Sequence, residues 1–178
     1  KHELLNNRFK DLESRISYTF KNKSILEEAL THKSLSASMN YERLEFLGDS
    51  LLNAIISDWL YQKYPNSNEG VLSKKRSDLV NKKILTIIAK KIFLDDDLII
   101  GNSIQINNDK TISNIYSDIF ESILGAIFID SGIENTKKFI YKHLLTNLEK
   151  SKNINKNYKG ILIEKCHSLG YKQPNFKL

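Results

Sequence analysis

The stretch Asn40-Tyr-Glu-Arg-Leu-Glu-Phe-Leu-Gly-Asp-Ser-Leu-Leu52 sets three carboxylates, Glu42, Glu45 and Asp49, inside an otherwise apolar segment of helical length. On a helix turning about 100° per residue, these positions fall within roughly 60° of one another. Leu44, Leu47, Leu51 and Leu52 project from other faces, so the acids do not form a plain solvated stripe. Acids gathered beside an apolar face cost free energy unless a positive charge sits among them. A divalent metal ion is the simplest cation that answers this demand.

A second segment repeats the pattern. Ser117-Asp-Ile-Phe-Glu-Ser-Ile-Leu-Gly-Ala-Ile-Phe-Ile-Asp130 is apolar from Ile119 to Ile129, and Asp118 and Glu121, three apart, share a face. The competing reading is a capping box, with Asp118 starting the helix and Glu121 completing the box. Two apolar helices that each carry inward acids favour the metal reading. Glu45, Asp49, Asp118 and Glu121 offer hard oxygen ligands suited to Mg²⁺, with Mn²⁺ as a substitute. Their combined charge would balance two divalent cations, the composition of a two-metal phosphoryl-transfer site.

The run Tyr41-Glu-Arg-Leu-Glu-Phe-Leu-Gly-Asp-Ser-Leu-Leu52 resembles the signature of the ribonuclease III family, bacterial type, whose members cut double-stranded RNA. Leu26-Glu-Glu-Ala-Leu-Thr-His-Lys-Ser34, Asn68-Glu-Gly-Val-Leu-Ser-Lys-Lys-Arg-Ser-Asp-Leu-Val80 and Asp118–Asp130 resemble the family's other segments, in the family's order. The resemblance implies Glu45, Asp49, Asp118 and Glu121 as metal ligands, with Asp49 and Glu121 indispensable to catalysis. Glu42 and Glu69 match supporting acids one layer out, and Phe46 matches an aromatic that packs into the partner subunit of a homodimer. Ser117 and Ser122 stand where small alanines are common, a mild departure. The implied activity is metal-dependent hydrolysis of double-stranded RNA in RNA processing, leaving 5′-phosphate and 3′-hydroxyl ends. RNA would be told from DNA by A-form groove shape and 2′-hydroxyls. The alternative is a non-catalytic RNA-binding or ribosome-associated protein that keeps the fold. Such a protein is expected to lose acids, and here all four positions are filled.

Charge is unevenly placed. Residues 1–130 hold 17 Lys/Arg and 18 Asp/Glu, a net of −1, and residues 131–178 hold 10 and 3, a net of +7. A near-neutral body with a basic end suits a polyanionic substrate. Biased base composition could explain abundant Lys, Asn and Ile, but it accounts poorly for the asymmetry. With only two prolines and seven glycines, the chain reads as long helices. One cysteine, Cys166, excludes an internal disulfide and fits a reducing compartment. No apolar run is expected to approach the roughly 20 residues of a membrane span. The N-terminus lacks a secretory core, so a cytoplasmic protein without a membrane partner is expected.

The fold class expected is all-α, a ribonuclease III-type helical domain over residues 1–149. A linker over 150–157 and the start of an α/β double-stranded RNA-binding domain over 158–178 follow. Helices are expected at Leu4–Tyr18, from a Ser24 cap to His32, at Tyr41–Tyr64, over Glu69–Lys91 as one helix or a pair, at Ile112–Asp130 and at Asn135–Leu148. Tyr158–Gly170 resembles the first helix of the RNA-binding domain, although Ile163 and His167 replace favoured glutamines. Lys74, Arg76, Lys159, Glu164 and His167 are the candidate RNA contacts. His32 reads as a hydrogen-bonded structural residue rather than a base. Asp95-Asp96-Asp97 reads as a solvated turn, and Cys166 as a small buried residue.

Overall fold

Helix starts in this chain are written mainly by asparagines. The computed structural model describes residues 9–101 and 109–146. Its helices are α1 (Lys10–Ile16), α2 (Lys23–Leu30), α3 (Glu42–Lys63), α4 (Glu69–Leu79), α5 (Lys82–Ile92), α6 (Asp109–Ser131) and α7 (Ile133–Ile140). Asn22, Asn68 and Asn81 cap α2, α4 and α5 by accepting the backbone N–H of Ser24, Val71 and Ile84, each at 3.0 Å. The expected Ser24 cap is therefore corrected to Asn22. The helix also stops at Leu30 rather than His32, because Thr31 pairs with Ile99 in a β-bridge and the His32 N–H donates to the Ile99 carbonyl at 2.8 Å. Residues 69–91 resolve as a pair. The Asn81 amide donates to the Ser77 and Asp78 carbonyls at the end of α4 while its oxygen starts α5.

Among the described residues the fold is all-α, as expected, apart from that single bridge. The α6 helix is the central strut, packed most extensively against α3 and also against α5, α2 and α7. Ile115, Ile119, Phe120, Ile123, Leu124, Ala126 and Ile127 are buried along it. Each large apolar side chain so buried contributes about 1.5–3 kcal/mol. Thr111–Ser131 is, against expectation, long and apolar enough to span a bilayer, yet 67% of its most apolar window is covered by protein. Its hydrophobicity is used in the core. Ser117 and Ser122, fully buried, remain compatible with that core because their hydroxyls donate to the Asn114 carbonyl (2.8 Å) and the Ala29 carbonyl (2.6 Å).

Asp95-Asp96-Asp97 forms a 3-10 turn that is tied down rather than merely solvated. Asp97 receives the Arg15 guanidinium at 2.8 and 2.9 Å, and Asp95 accepts the Tyr116 hydroxyl at 2.5 Å. The chain divides into two compact units, Lys1–Ile140 and Tyr141–Leu178. In the second, Tyr141–Leu145 forms a π-helical turn, with the Thr146 hydroxyl donating to the Tyr141 carbonyl at 2.9 Å. The first part of the expected Leu4–Tyr18 helix, the linker over 150–157, the RNA-binding segment over 158–178 and Cys166 lie outside the described residues.

Candidate active site

The α3 and α6 helices cross at glycines, and the acids stand at that crossing. A Cβ on Gly48 would lie 1.7 Å from the Glu121 carbonyl oxygen, and one on Gly125 would lie 2.3 Å from the Leu44 carbonyl oxygen. Only hydrogen at both positions permits so close an approach. Glu45 sits one turn before Gly48, and Glu121 one turn before Gly125, so the crossing delivers both carboxylates to one place. Glu45, Asp118 and Glu121 each present an oxygen within 4.8 Å of the others, all three side chains being half-buried. Because α6 begins at Asp109, Asp118 lies beyond its second turn and is no cap. That removes the capping-box reading.

Crowding and burial govern protonation. Burial, then the charge of Asp118, pushes Glu45 up to about 7. Burial, then the charges of Asp49, Glu45 and Asp118, pushes Glu121 up to about 8. Without a cation, Glu45 and Glu121 therefore retain protons near neutral pH. A hard divalent ion would hold all three carboxylates ionised, and their closeness, oxygen chemistry and partial burial fit such an ion. The donor set does not distinguish Mg²⁺ from Mn²⁺.

Neighbours orient the acids. The buried Tyr41 donates its hydroxyl to Asp118 at 3.4 Å, and burial, then the charges of Asp118 and Glu45, holds its pKa above the ordinary tyrosine range. The Lys82 ammonium stands 3.5 Å from the other Asp118 oxygen. A cavity of about 330 Å³ opens onto the cluster, lined in part by His32, Lys33, Tyr41, Glu45, Asn114 and Asp118. His32 is hydrogen-bonded, as expected, and also lines this cavity. Its Nδ1 lies 2.8 Å from the Ser34 hydroxyl and accepts the Ser34 N–H at 3.0 Å, and Ser34 Oγ in turn accepts the Gly101 N–H at 2.9 Å. Burial, then Lys33, keeps the imidazole pKa below its usual value.

The remaining sequence candidates lie around this centre. Asp49 is exposed, and one carboxylate oxygen accepts the Asn53 amide at 2.8 Å. It lines an adjacent cavity of about 320 Å³ with Arg76 and Asn81, outside the group of three, although its charge reaches Glu121. Glu42 is exposed and paired with Lys33 at 2.8 Å. Glu69 accepts the Ser73 hydroxyl at 2.6 Å and borders a separate groove of about 580 Å³ with Tyr61, Leu72 and Arg76. Phe46 is 77% exposed, on the opposite side of the chain's Glu45 step from the buried Leu44, with Ile129 (56% exposed) and Leu47 near it. Lys74 is exposed, while the Arg76 guanidinium donates to the Ser57 hydroxyl at 2.8 Å. Lys159, Glu164 and His167 lie outside the described residues. Sequence reading missed Tyr41, Lys33 and Lys82 as neighbours of the acids. Tyr41 carried a signal, since it precedes the first acid directly, but Lys82 is distant in sequence and reaches Asp118 only through the α5–α6 packing.

Comparison with known proteins agrees with this geometry. The family model described as Ribonuclease-III-like matches residues 22–148. Ribonuclease 3 of Aliarcobacter butzleri is 44% identical over 142 residues, which are 80% of this chain and 63% of that protein. Ribonuclease 3 of Sulfurovum sp. is 37% identical over 177 residues, covering 97% of this chain and 78% of the relative. The nuclease domain of ribonuclease III from Campylobacter jejuni superposes with a TM-score of 0.74 at 39% identity, over 78% of this chain and 97% of that one. That structure is described as flexible in a region involved in dimer formation. A match of this extent, on a fold that brings the acidic motifs together, means that the chain belongs to the ribonuclease III family of endoribonucleases.

Proposed function

We propose that this chain is a divalent-metal-dependent endonuclease that hydrolyses double-stranded RNA to 5′-phosphate and 3′-hydroxyl ends, working as a homodimer. The observation that carries the reading is the convergence of Glu45, Asp118 and Glu121 within 4.8 Å at a glycine-lined helix crossing. Those three residues would hold Mg²⁺ or Mn²⁺, with Asp49 beside Glu121 as the fourth acid. When bound, the ion supplies Lewis acidity and an activated water at the phosphodiester. The chain's own part is positioning. Tyr41 reaches Asp118 with its hydroxyl, the Gly48–Gly125 crossing sets the spacing of Glu45 and Glu121, and Lys33 pairs with Glu42.

The exposed aromatic Phe46, beside the ligand Glu45, supports pairing with a second copy, which would set two such sites on one duplex. In this reading residues 1–149 are the catalytic part, 150–157 a linker and 158–178 an RNA-binding segment, and the family match ending at residue 148 supports that division. Lys74, Arg76, Lys159, Glu164 and His167 are the proposed RNA contacts. A reducing, cytoplasmic setting accompanies the reading and rests on the single cysteine. No observation favours the non-catalytic alternative. A gel assay of a long RNA duplex with and without MgCl₂, with Glu121→Gln alongside, tests the proposal. Mg²⁺-dependent cutting by the parent chain and none by the variant is expected.

A further inference from the structure

Lys82 occupies a position that helix energetics disfavour. It is the first residue of α5, whose first turn holds no acid, and Lys83 follows it at the same positive end of the helix dipole. Its backbone is pinned by the neighbouring Asn81, whose side chain bonds both α4 and α5. From there the ammonium reaches 3.5 Å from Asp118, while 68% of the side chain remains exposed. An exposed pair at that distance adds little to fold stability, so stability does not explain the placement. Against burial and mutual repulsion, which push Glu45 and Glu121 up, the Lys82 charge is the largest downward influence on both. One long, largely exposed side chain thus acts on three acids.

We propose that Lys82 is the resident counter-ion of the acid cluster, and that a divalent ion displaces its ammonium from Asp118 on binding, so that Lys82 sets the metal affinity of the site. The inference rests on the reading that Glu45, Asp118 and Glu121 hold a divalent ion. Removing a competing cation should tighten metal binding, even though it also removes a residue from the active-site rim. MgCl₂ titrated calorimetrically, without RNA, into the chelator-stripped chain reads this directly. Lys82→Met should bind Mg²⁺ about two- to fivefold more tightly than the parent, the range expected for loss of one exposed ion pair. Lys83→Met removes the same formal charge one residue along and should shift affinity by less than about 1.5-fold, because an exposed charge farther away is screened. Without metal, Lys82→Met should melt close to the parent, because the exposed pair adds little to stability, so that a change in Mg²⁺ affinity does not reflect a folding defect. Unchanged or weaker Mg²⁺ binding by Lys82→Met overturns the inference alone, as does an equal effect of Lys83→Met. Absence of Mg²⁺ binding to the parent chain overturns the metal reading and the inference together.

Discussion

Glu121 sits where burial and three neighbouring acids all oppose its charge, and this fixes how it answers mutation and pH. Glu121→Gln removes a ligand oxygen but also relieves repulsion, so cleavage should fall by more than about 100-fold, beyond the loss typical of an outer-layer partner. The metal-free variant should melt no lower than the parent, as differential scanning calorimetry in chelator would show. Asp118→Asn should lose cleavage similarly, since Asp118 belongs to the same group of three acids. The pH dependence follows from the raised values. Glu45 and Glu121 bind protons more tightly in the fold than at the ordinary glutamate value of 4.5. Their contribution to stability is therefore complete below about pH 4.5 and is lost as pH rises through about 7 and 8. Melting of the metal-free protein should fall between pH 5 and 9 by this contribution, and MgCl₂ should raise the melting temperature most at the alkaline end. A Mg²⁺ effect greatest at pH 5 would contradict the assignment.

Among the elements, the α3–α6 crossing matters most because it converts helix packing into site geometry. Gly48→Ala forces a methyl into the Glu121 carbonyl, so the helices must part, at a cost of about 3 kcal/mol measurable by urea denaturation. Gly70→Ala is the contrast. Its nearest added contact is 3.7 Å away on a helix, so it should be neutral or gain about 0.5–1 kcal/mol. The elements themselves were largely legible in the sequence, since apolar periodicity and the Pro65 stop placed α3 within a residue at each end. The start of the second helix was not, because Asn22 and Ser24 are both good caps and only the fold selects Asn22, whose N–H is held by Asp130 at 3.0 Å. Likewise, a D-x-x-E spacing reads equally as a capping box or as two mid-helix acids. The polar run before Ile112 hid the true start of α6. Glu45, Asp118 and Glu121 were legible as acids that could come together, whereas the place of Asp49 outside that group, the closeness of Gly48 to α6 and that of Lys82 to Asp118 depend on long-range packing that local pattern does not encode.

At the scale of the whole molecule, an exposed phenylalanine beside the acids and a basic C-terminal sequence point toward a partner copy and a polyanion. Phe46→Asp should convert a dimer to a monomer in sedimentation without changing the far-ultraviolet helical signal, because the side chain is 77% exposed within one chain. A parent chain that sediments as a monomer at every concentration would contradict the dimer. RNA affinity should fall steeply with added salt, as counterion release requires. The central claim, that the acid cluster cuts RNA duplex with a divalent ion, is tested most directly by one cleavage experiment. A long RNA duplex, the matching DNA duplex and a single strand are incubated with the parent chain and with Glu121→Gln, in MgCl₂ and in chelator. Cutting of the RNA duplex alone, by the parent alone and in MgCl₂ alone, with 5′-phosphate ends, is expected. Cleavage that persists in chelator, or is matched by Glu121→Gln, would contradict it.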